Sequence, residues 1–217
     1  MNTKWTWLGS LLIVLVAVLA SVISAAYLPP RVVSHWNAQG QPDGTMSRFW
    51  ALALVPLIMV GITLLLMFIR TTDPLRANIQ QFLSFYNGFV LLVNVYLLYV
   101  HGLTLAWNLG WHFNLSAALI PAMAVLFYLA GILLKRTKRN WFMGIRTPWT
   151  MSSDRVWDQT HRRASLLFKI SAVLMLVGLF FPNGFWLFLL APLFASVIYV
   201  VVYSYWLYRR ETQAQES

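Results

Sequence analysis

Hydrophobic positions in this chain fall into long runs rather than into the alternation typical of half-buried strands. A helix rises about 1.5 Å per residue, so crossing a hydrocarbon core takes about 20 mostly apolar residues. The runs that approach or meet this length are Trp5–Ala26, Phe49–Ile69, Phe82–Leu105, Leu115–Leu134, Leu166–Phe181 and Phe185–Leu207. The pattern predicts an all-α polytopic membrane protein with six transmembrane helices.

Turn-forming residues separate these runs. Residues 77–134 carry no Lys, Arg, Asp or Glu, and the stretch from Trp107 to His112 supplies the break that so long a run requires. Pro182-Asn183-Gly184 predicts a tight turn before the last run. The first run resembles a signal peptide at Ser24-Ala25-Ala26, but its apolar stretch is longer than a usual signal core, which favours an uncut helix.

The spans divide the chain into segments of one integrated membrane domain. These are an N-terminal helical hairpin (1–70) with a structured outer loop (28–48), the third and fourth spans (71–134), a basic loop with an amphipathic helix (135–165), and a C-terminal helical hairpin with a short tail (166–217).

Charge sets the predicted orientation. The net charge is +10, but only 10% of residues are charged, and the basic residues lie between the apolar runs. With the N-terminus inside, 14 of the 16 Lys and Arg residues are cytoplasmic, and only Arg31 and Arg48 are outside. The positive-inside rule therefore predicts that both termini lie on the cytoplasmic side of the membrane. We expect this membrane to be a bacterial inner membrane. This distribution explains the basicity without direct nucleic-acid binding.

The outer loop holds the first group of candidate residues. It is rich in turn formers, which is typical of a structured connector whose polar residues satisfy backbone groups. The other interpretation is an extracellular recognition surface with polar contacts and an aromatic anchor. The candidates for it are His35, Trp36, Asn37, Gly40 and Asp43.

A polar stripe marks the third span. Asn87, Asn94 and His101 are spaced by seven residues, which places them on one face of a helix, and Asn108 continues the series. Such residues face the bundle interior because polar groups are costly in lipid. They either join helices by hydrogen bonds or line a path for a substrate or proton.

The inner loop begins with a basic run typical of a juxtamembrane lipid anchor. Ser152 or Ser153 then caps a predicted helix that lies at the membrane surface and continues into the fifth span. The loop serves either topology and anchoring or the docking of a cytoplasmic partner. The candidate docking residues are Asn140, Gly144, Arg146, Thr147, Pro148, Trp149, Asp154 and Trp157.

The residue types disfavour an enzyme. No nucleophile–base pair, paired carboxylates or phosphate-binding glycine loop is visible, so we predict no catalytic residue and no cofactor. A metal site would require His35, Asp43 and His112 to converge, and no metal-ligand spacing supports one. A membrane-embedded hydrolase or metalloenzyme using these residues is the third and least favoured hypothesis. The absence of cysteine excludes disulfides and thiolate ligands.

Two motifs resemble the SdpI family of bacterial membrane proteins. The first is His35-Trp36-Asn37-x-x-Gly40-x-Pro42-Asp43-Gly44, before a second span that contains Pro56. The second is Asn140-Trp141-Phe142-x-Gly144-Ile145-Arg146-Thr147-Pro148-Trp149-Thr150, followed by Ser152-Ser153-Asp154-x-x-Trp157 and Thr160-His161-Arg162. Their order and spacing match the family, so the resemblance extends over most of the chain.

The resemblance implies an integral membrane immunity and signalling protein. Its expected partners are membrane lipid, a secreted membrane-active peptide toxin outside, and a cytoplasmic autorepressor held at the membrane inside. Occupancy of the outer loop would then be coupled to the spans that flank the inner loop. The alternative function is a small-molecule or peptide transporter with the polar stripe lining its path.

Overall fold

Helices follow the hydrophobic runs along most of the chain. The computed structural model describes residues 2–37, 39–181 and 184–216. Within them the helices are α1 (Thr3–Ala25), α2 (Arg48–Thr72), α3 (Arg76–Gln81), α4 (Leu83–Asn108), α5 (Leu115–Arg136), α6 (Pro148–Ser152), α7 (Asp154–Gly178) and α8 (Phe185–Glu216). Two strands, β1 (Arg31–Trp36) and β2 (Pro42–Ser47), separate α1 from α2 along the chain.

Within the described residues, five helices are long and apolar enough to cross a membrane. They are α1, α2, α4, α5 and the Phe185–Ala214 part of α8, and they indicate a multi-pass membrane protein. The remaining predicted run, Leu166–Phe181, lies mostly in the second half of α7. The first half of that helix carries charged residues between Asp154 and Arg163, so α7 as a whole is not an apolar span. Length and composition therefore support five spans where the sequence predicts six.

The predicted break between the third and fourth spans is confirmed. α4 ends at Asn108, Gly110 has a φ of +101°, and α5 begins at Leu115. Asn114 starts α5 by accepting the N–H of Ala117 at its Oδ1 (2.9 Å). In the turn predicted before the last run, Pro182 and Asn183 lie outside the described residues.

The chain forms two compact units. Unit 1 comprises Met1–Met67 and Asn87–Leu126, and unit 2 comprises Phe68–Tyr86 and Phe127–Ser217. Unit 1 therefore contains both strands and the predicted polar stripe, whereas unit 2 contains α3, the inner loop, α6, α7 and α8.

The prediction of an all-α fold is wrong for the outer loop, which forms a β-hairpin. β1 and β2 pair antiparallel, with Val32 opposite Met46 and Val33 opposite Thr45, and with register shifts on either side of His35. The turn-forming residues cluster at the turn of the hairpin, while β-branched residues occupy paired positions. The strand formers are too few to stand out in a polar loop, so hydropathy does not reveal them.

Polar contacts fix the hairpin to its neighbouring helices in unit 1. Arg48 Nη1 donates to Ala25 O (3.0 Å), the last residue of α1, and to Leu28 O (2.8 Å) in the segment that leads to β1. Asn108 accepts from the N–H of Val33 (2.8 Å) and donates to its carbonyl (2.9 Å). The Asn108 amide thus pairs with β1 as a neighbouring strand would. A buried apolar cluster also joins the hairpin to the helices: Leu28, Val32, Ala51 and Leu105.

Helix α7 confirms the capped amphipathic helix of the inner loop. Ser153 Oγ accepts from the N–H of Val156 (3.3 Å), and Asp154 lies in the first turn. The apolar face is at most 1% exposed along its first half: Val156, Trp157, Thr160, His161 and Ala164. Other parts of the protein cover this face. The prediction that the helix lies with this face on the membrane surface is therefore wrong.

Candidate functional site

The turn of the outer hairpin is organised by Asn37. Its Oδ1 accepts from the N–H groups of Gln39 (3.0 Å) and Gln41 (2.9 Å), and its own N–H donates to Gln41 O (2.8 Å). Gly40 has a φ of +76°, and Asn114 packs so closely against it that a Cβ has no room. Asn37 and Gly40 therefore shape the turn.

His35 and Asp43 form an exposed polar contact on the hairpin. His35 Nδ1 lies 2.5 Å from Asp43 Oδ1, and the side chains are 72% and 43% exposed. Trp36 is half-buried and packs edge-on against Trp107, with ring centroids 5.7 Å apart. The described residues contain no group of three or more His, Asp or Glu side chains placed to hold a metal, so His35, Asp43 and His112 do not converge.

The predicted polar stripe on α4 is buried inside unit 1. Asn94 Nδ2 donates to Thr63 Oγ1 on α2 (2.9 Å) and to Val90 O (3.0 Å). Asn87 and Asn94 both have no exposed surface. An amide at this depth satisfies its donors within the protein because lipid offers no acceptor.

His101 connects α4 to α1. Its Nε2 lies 2.8 Å from Ser21 Oγ, and the Ser21 hydroxyl donates to Leu52 O on α2 (2.9 Å). Because the serine proton is used on that carbonyl, the imidazole Nε2–H donates to Ser21. The contacts of Asn94 and His101 are those of interhelical hydrogen bonding.

An apolar cleft of about 420 Å³ lies between α1 and α2. It is lined by the last turns of α1 and the first turns of α2, the two ends that the hairpin joins. The lining residues include Val18, Val22, Ala25, Phe49, Ala53 and Leu57. The volume is in the range of small-ligand pockets.

Asn140 organises the inner loop of unit 2. Its side chain is fully buried; Oδ1 accepts from the N–H groups of Phe142 (3.0 Å) and Met143 (2.6 Å). Nδ2 donates to Lys138 O (2.8 Å) and Met143 O (3.1 Å). One amide thus satisfies four backbone groups of a segment that has no regular secondary structure.

His161 holds the next part of the loop. Its Nε2 accepts from the N–H of Ile145 (2.9 Å), and its Nδ1 lies 2.8 Å from Trp157 O. Only the neutral tautomer with its proton on Nδ1 makes both bonds. Burial lowers the pKa of His161 to about 4, and the hydrogen bond to Trp157 offsets this only in part. Gly144, with a φ of +96°, lies against the imidazole with no space for a Cβ.

Trp157 completes this contact from α7. Its indole stacks on His161 with ring centroids 4.0 Å apart, and its Nε1–H donates to Thr137 O (3.1 Å). The residue is fully buried. One face of α7, which carries Trp157 and His161, therefore fixes the conformation of the inner loop.

A capping box begins α6. Thr147 Oγ1 accepts from the N–H of Thr150 (3.2 Å), and Thr150 Oγ1 accepts from the N–H of Thr147 (2.9 Å). Pro148 follows at the first helical position, where no N–H is needed. Trp149 packs edge-on against Tyr205 of α8, with centroids 5.1 Å apart.

The eight predicted docking residues thus differ in exposure. Asn140 and Trp157 are fully buried and act on the loop from inside. Thr147 and Trp149 are partly buried, and the exposed members are Gly144, Arg146, Pro148 and Asp154. Trp141 and Phe142, which the sequence analysis does not place among the docking candidates, are 53% and 41% exposed.

Asp73 is a further residue that the sequence analysis omits. It is buried; Oδ1 accepts from the N–H of Leu75 (2.6 Å) and Oδ2 from the N–H of Trp141 (2.9 Å). Asn78, on the helix α3 that follows Asp73, donates from Nδ2 to Arg139 O in the inner loop (2.8 Å). An aspartate followed by proline after a helix is a turn signal, but its distant partner is not visible in the sequence.

Comparison with known proteins finds a family match that includes the inner loop. Residues 136–204 match the model of the SdpI/YfhL protein family. Immunity protein SdpI of Bacillus subtilis (strain 168) is 26% identical over 178 residues, 81% of this chain and 82% of the relative. The chain is therefore similar to the SdpI/YfhL protein family over about the C-terminal third of its length. Residues 12–60 match a domain of unknown function, DUF1648. No solved structure matches the chain.

The SdpI/YfhL match begins at the end of α5 and extends through α6 and α7 into α8. It includes the residues that hold the inner loop: Asn140, Gly144, Trp157 and His161. The hairpin motif from His35 to Gly44 lies instead within the domain of unknown function. Neither family description names a catalytic activity.

We expect the stability of this protein to decrease in mild acid because of His161. The unfolded imidazole titrates near 6.5, whereas the folded one has a pKa of about 4. As the pH falls from about 6.5 to about 4, the unfolded state binds a proton at this histidine before the folded state does. The free energy of unfolding therefore decreases by up to about 3 kcal/mol. Thermal unfolding in detergent between pH 8 and pH 4 measures this loss.

His161→Gln is expected to lower the stability at pH 8 and to reduce the slope below pH 6.5. His35→Gln, which removes an exposed histidine elsewhere in the chain, is the control for the substitution itself. An unchanged slope in His161→Gln would rule out this histidine as the cause.

Proposed function

We propose that this chain is a membrane immunity protein that protects a bacterial cell from a secreted, membrane-active peptide. The observation that carries the proposal is the similarity to Immunity protein SdpI over 81% of the chain. Five apolar helices support a membrane location, which we assign to the bacterial inner membrane. No step of the proposal requires catalysis.

The outer part of unit 1 offers the matching surface. The exposed His35–Asp43 contact provides polar groups, and the cleft between α1 and α2 provides apolar surface at the same ends of these helices. A membrane-active peptide has both apolar and polar faces, so this combination suits it. We propose that the peptide binds the cleft and contacts the hairpin.

The proposal includes six spans with both termini inside, the second half of α7 being the fifth. Because the chain has no cysteine, single cysteines report topology without a background. We expect a membrane-impermeant maleimide added to intact spheroplasts to label Thr45→Cys, His112→Cys and Phe180→Cys. Ser152→Cys and Gln213→Cys should react only after permeabilisation. Labelling of Gln213→Cys from outside would show an odd number of crossings.

Protection is tested in sensitive cells that express the chain and are challenged with a panel of secreted membrane-active peptides. We expect the peptide concentration that inhibits growth to fall at least about tenfold, equivalent to about 1.4 kcal/mol, when the cells express the double variant His35→Ala, Asp43→Ala instead of the wild type. Ala53→Trp, which fills the cleft, should have the same effect.

Matched controls separate recognition from folding. Arg31→Ala, Thr45→Ala removes the other exposed cross-strand contact of the hairpin (Arg31 Nη2 to Thr45 Oγ1, 3.1 Å) and should retain protection. Leu64→Trp places the same indole on an exposed position of α2 outside the cleft. Equal membrane levels are verified by immunoblot. Wild-type sensitivity to every peptide despite normal expression would refute the immunity proposal.

We further propose that the inner loop binds a cytoplasmic repressor when the outer face is occupied. Trp141, Phe142 and Arg146 are its exposed aromatic and cationic residues, a composition typical of interface centres. Buried residues such as Asn140 and Trp157 hold these side chains in place and do not contact the partner.

A photocrosslinking amino acid at position 142 tests this docking in cells. We expect an adduct with a DNA-binding protein that increases when a peptide against which the chain protects is added and is lost in Arg146→Glu. The same probe at exposed position 209 should give no such adduct. An adduct whose yield ignores both the peptide and Arg146→Glu would contradict the proposal.

A further inference from the structure

A cavity of about 410 Å³ lies between the first half of α7 and the last third of α8. Its lining includes three arginines, one glutamate and two aromatic residues: Arg155, Arg163, Tyr203, Trp206, Arg210 and Glu211. The cavity therefore has an excess of two positive charges. It lies on α7 and α8, and the exposed inner-loop residues Trp141, Phe142 and Arg146 do not line it.

The arginines of this cavity lack anionic partners within the described residues. The ion pairs found there involve His35, Lys138 and Arg139, and none includes a cavity arginine. Glu211 instead accepts a hydrogen bond from Ser153 Oγ, the N-cap of α7 (2.7 Å). Three arginines thus line a concave site, and no carboxylate among the described side chains lies within ion-pair distance of them.

Two of these arginines make cation–π contacts with aromatic rings. Arg210 Cζ lies 3.9 Å from the centroid of the Trp206 ring, and Arg163 Cζ lies 5.6 Å from that of Tyr203. Stacking occupies the face of a guanidinium and leaves its in-plane N–H donors for an oxyanion. The site therefore resembles a phosphate-binding fork with an aromatic floor.

The position of the cavity along α8 indicates where the phosphate comes from. Phe185–Glu216 has 32 residues, more than the roughly 20 that cross a hydrocarbon core. A span that begins at Phe185 therefore ends near Tyr203 and Trp206, residue types that favour the membrane interface. Arg210 then lies at the level of the lipid headgroups, and in the proposed orientation these belong to the anionic inner leaflet.

We propose that this cavity binds the phosphodiester headgroup of an anionic phospholipid. The three arginines bind the phosphate oxygens, and the aromatic rings pack against the glycerol region. This inference uses the proposed orientation for the leaflet but does not rest on the immunity function. A bound lipid would also join α7 to α8, because each helix contributes arginines.

Native mass spectrometry of the full chain in detergent tests the site, with dioctanoyl phosphatidylglycerol as the probe. Dioctanoyl phosphatidylcholine and inorganic phosphate are the comparison ligands. We expect the wild type to bind phosphatidylglycerol at least about tenfold more tightly than phosphatidylcholine, and Arg163→Gln, Arg210→Gln to lose at least about tenfold of that affinity. Millimolar inorganic phosphate should not displace the lipid.

Two neighbouring arginines outside the cavity supply charge-matched controls. Arg162→Gln, Arg209→Gln removes the same two charges from exposed positions and should change the affinity by less than about twofold. Thermal unfolding verifies that both double variants fold. Should the cavity variant fail to fold, Arg163→Lys, Arg210→Lys keeps the charge, loses the planar fork, and is expected to weaken binding severalfold.

Equal losses in the cavity and control variants would reduce the site to general charge attraction and overturn the proposal. No preference for phosphatidylglycerol over phosphatidylcholine, or full displacement by inorganic phosphate, would also overturn it. The latter result would assign the cavity to free phosphate.

Discussion

Backbone that leaves the helical conformation next to a membrane must find hydrogen-bond partners within the protein, and this constraint governs the structure. Lipid offers neither donors nor acceptors, and each unsatisfied buried group costs about 1–3 kcal/mol. Asn108 meets the requirement where β1 packs against α4, and Asn37 bonds the backbone of the exposed turn. Asn140 and Asp73 meet it for the inner loop and the α2–α3 turn. Both non-helical regions thus depend on short polar side chains.

The same constraint divides the residues of the second motif into two groups. Asn140, Trp157 and His161 are buried and bond the backbone of the inner loop or pack against it. Trp141, Phe142 and Arg146 belong to the same motif but are exposed. The motif therefore specifies both the conformation of the loop and the side chains that the loop presents.

Charge is used differently in the two units. In unit 1, Arg48 donates a hydrogen bond to the carbonyl of Ala25 at the end of α1, and His35 contacts the exposed carboxylate of Asp43. In unit 2, Lys138 is paired with Asp158, but the arginines at the α7–α8 cavity have no carboxylate within ion-pair distance in the described part of the chain. In the proposed orientation, basic residues that favour a cytoplasmic location by the positive-inside rule would also form the proposed anion site.

The sequence by itself determined the long helices, the break before α5, the basic inner loop and the capped start of α7. These features depend on hydropathy over one span or on residues within one helical turn, so they can be read locally. Whether Leu166–Phe181 crosses the membrane is not decided in this way, because charged residues share its helix.

Only the tertiary structure decided how distant residues meet. The pairing of Val33 with Thr45 and Asn108, the bond from Trp141 to Asp73, and the burial of Trp157 join positions far apart in the chain. The polar stripe illustrates the division: spacing of seven predicts its common face, but the partners Thr63 and Ser21 lie on other helices. Periodicity reports which side of a helix is polar, and packing alone reports what that side contacts.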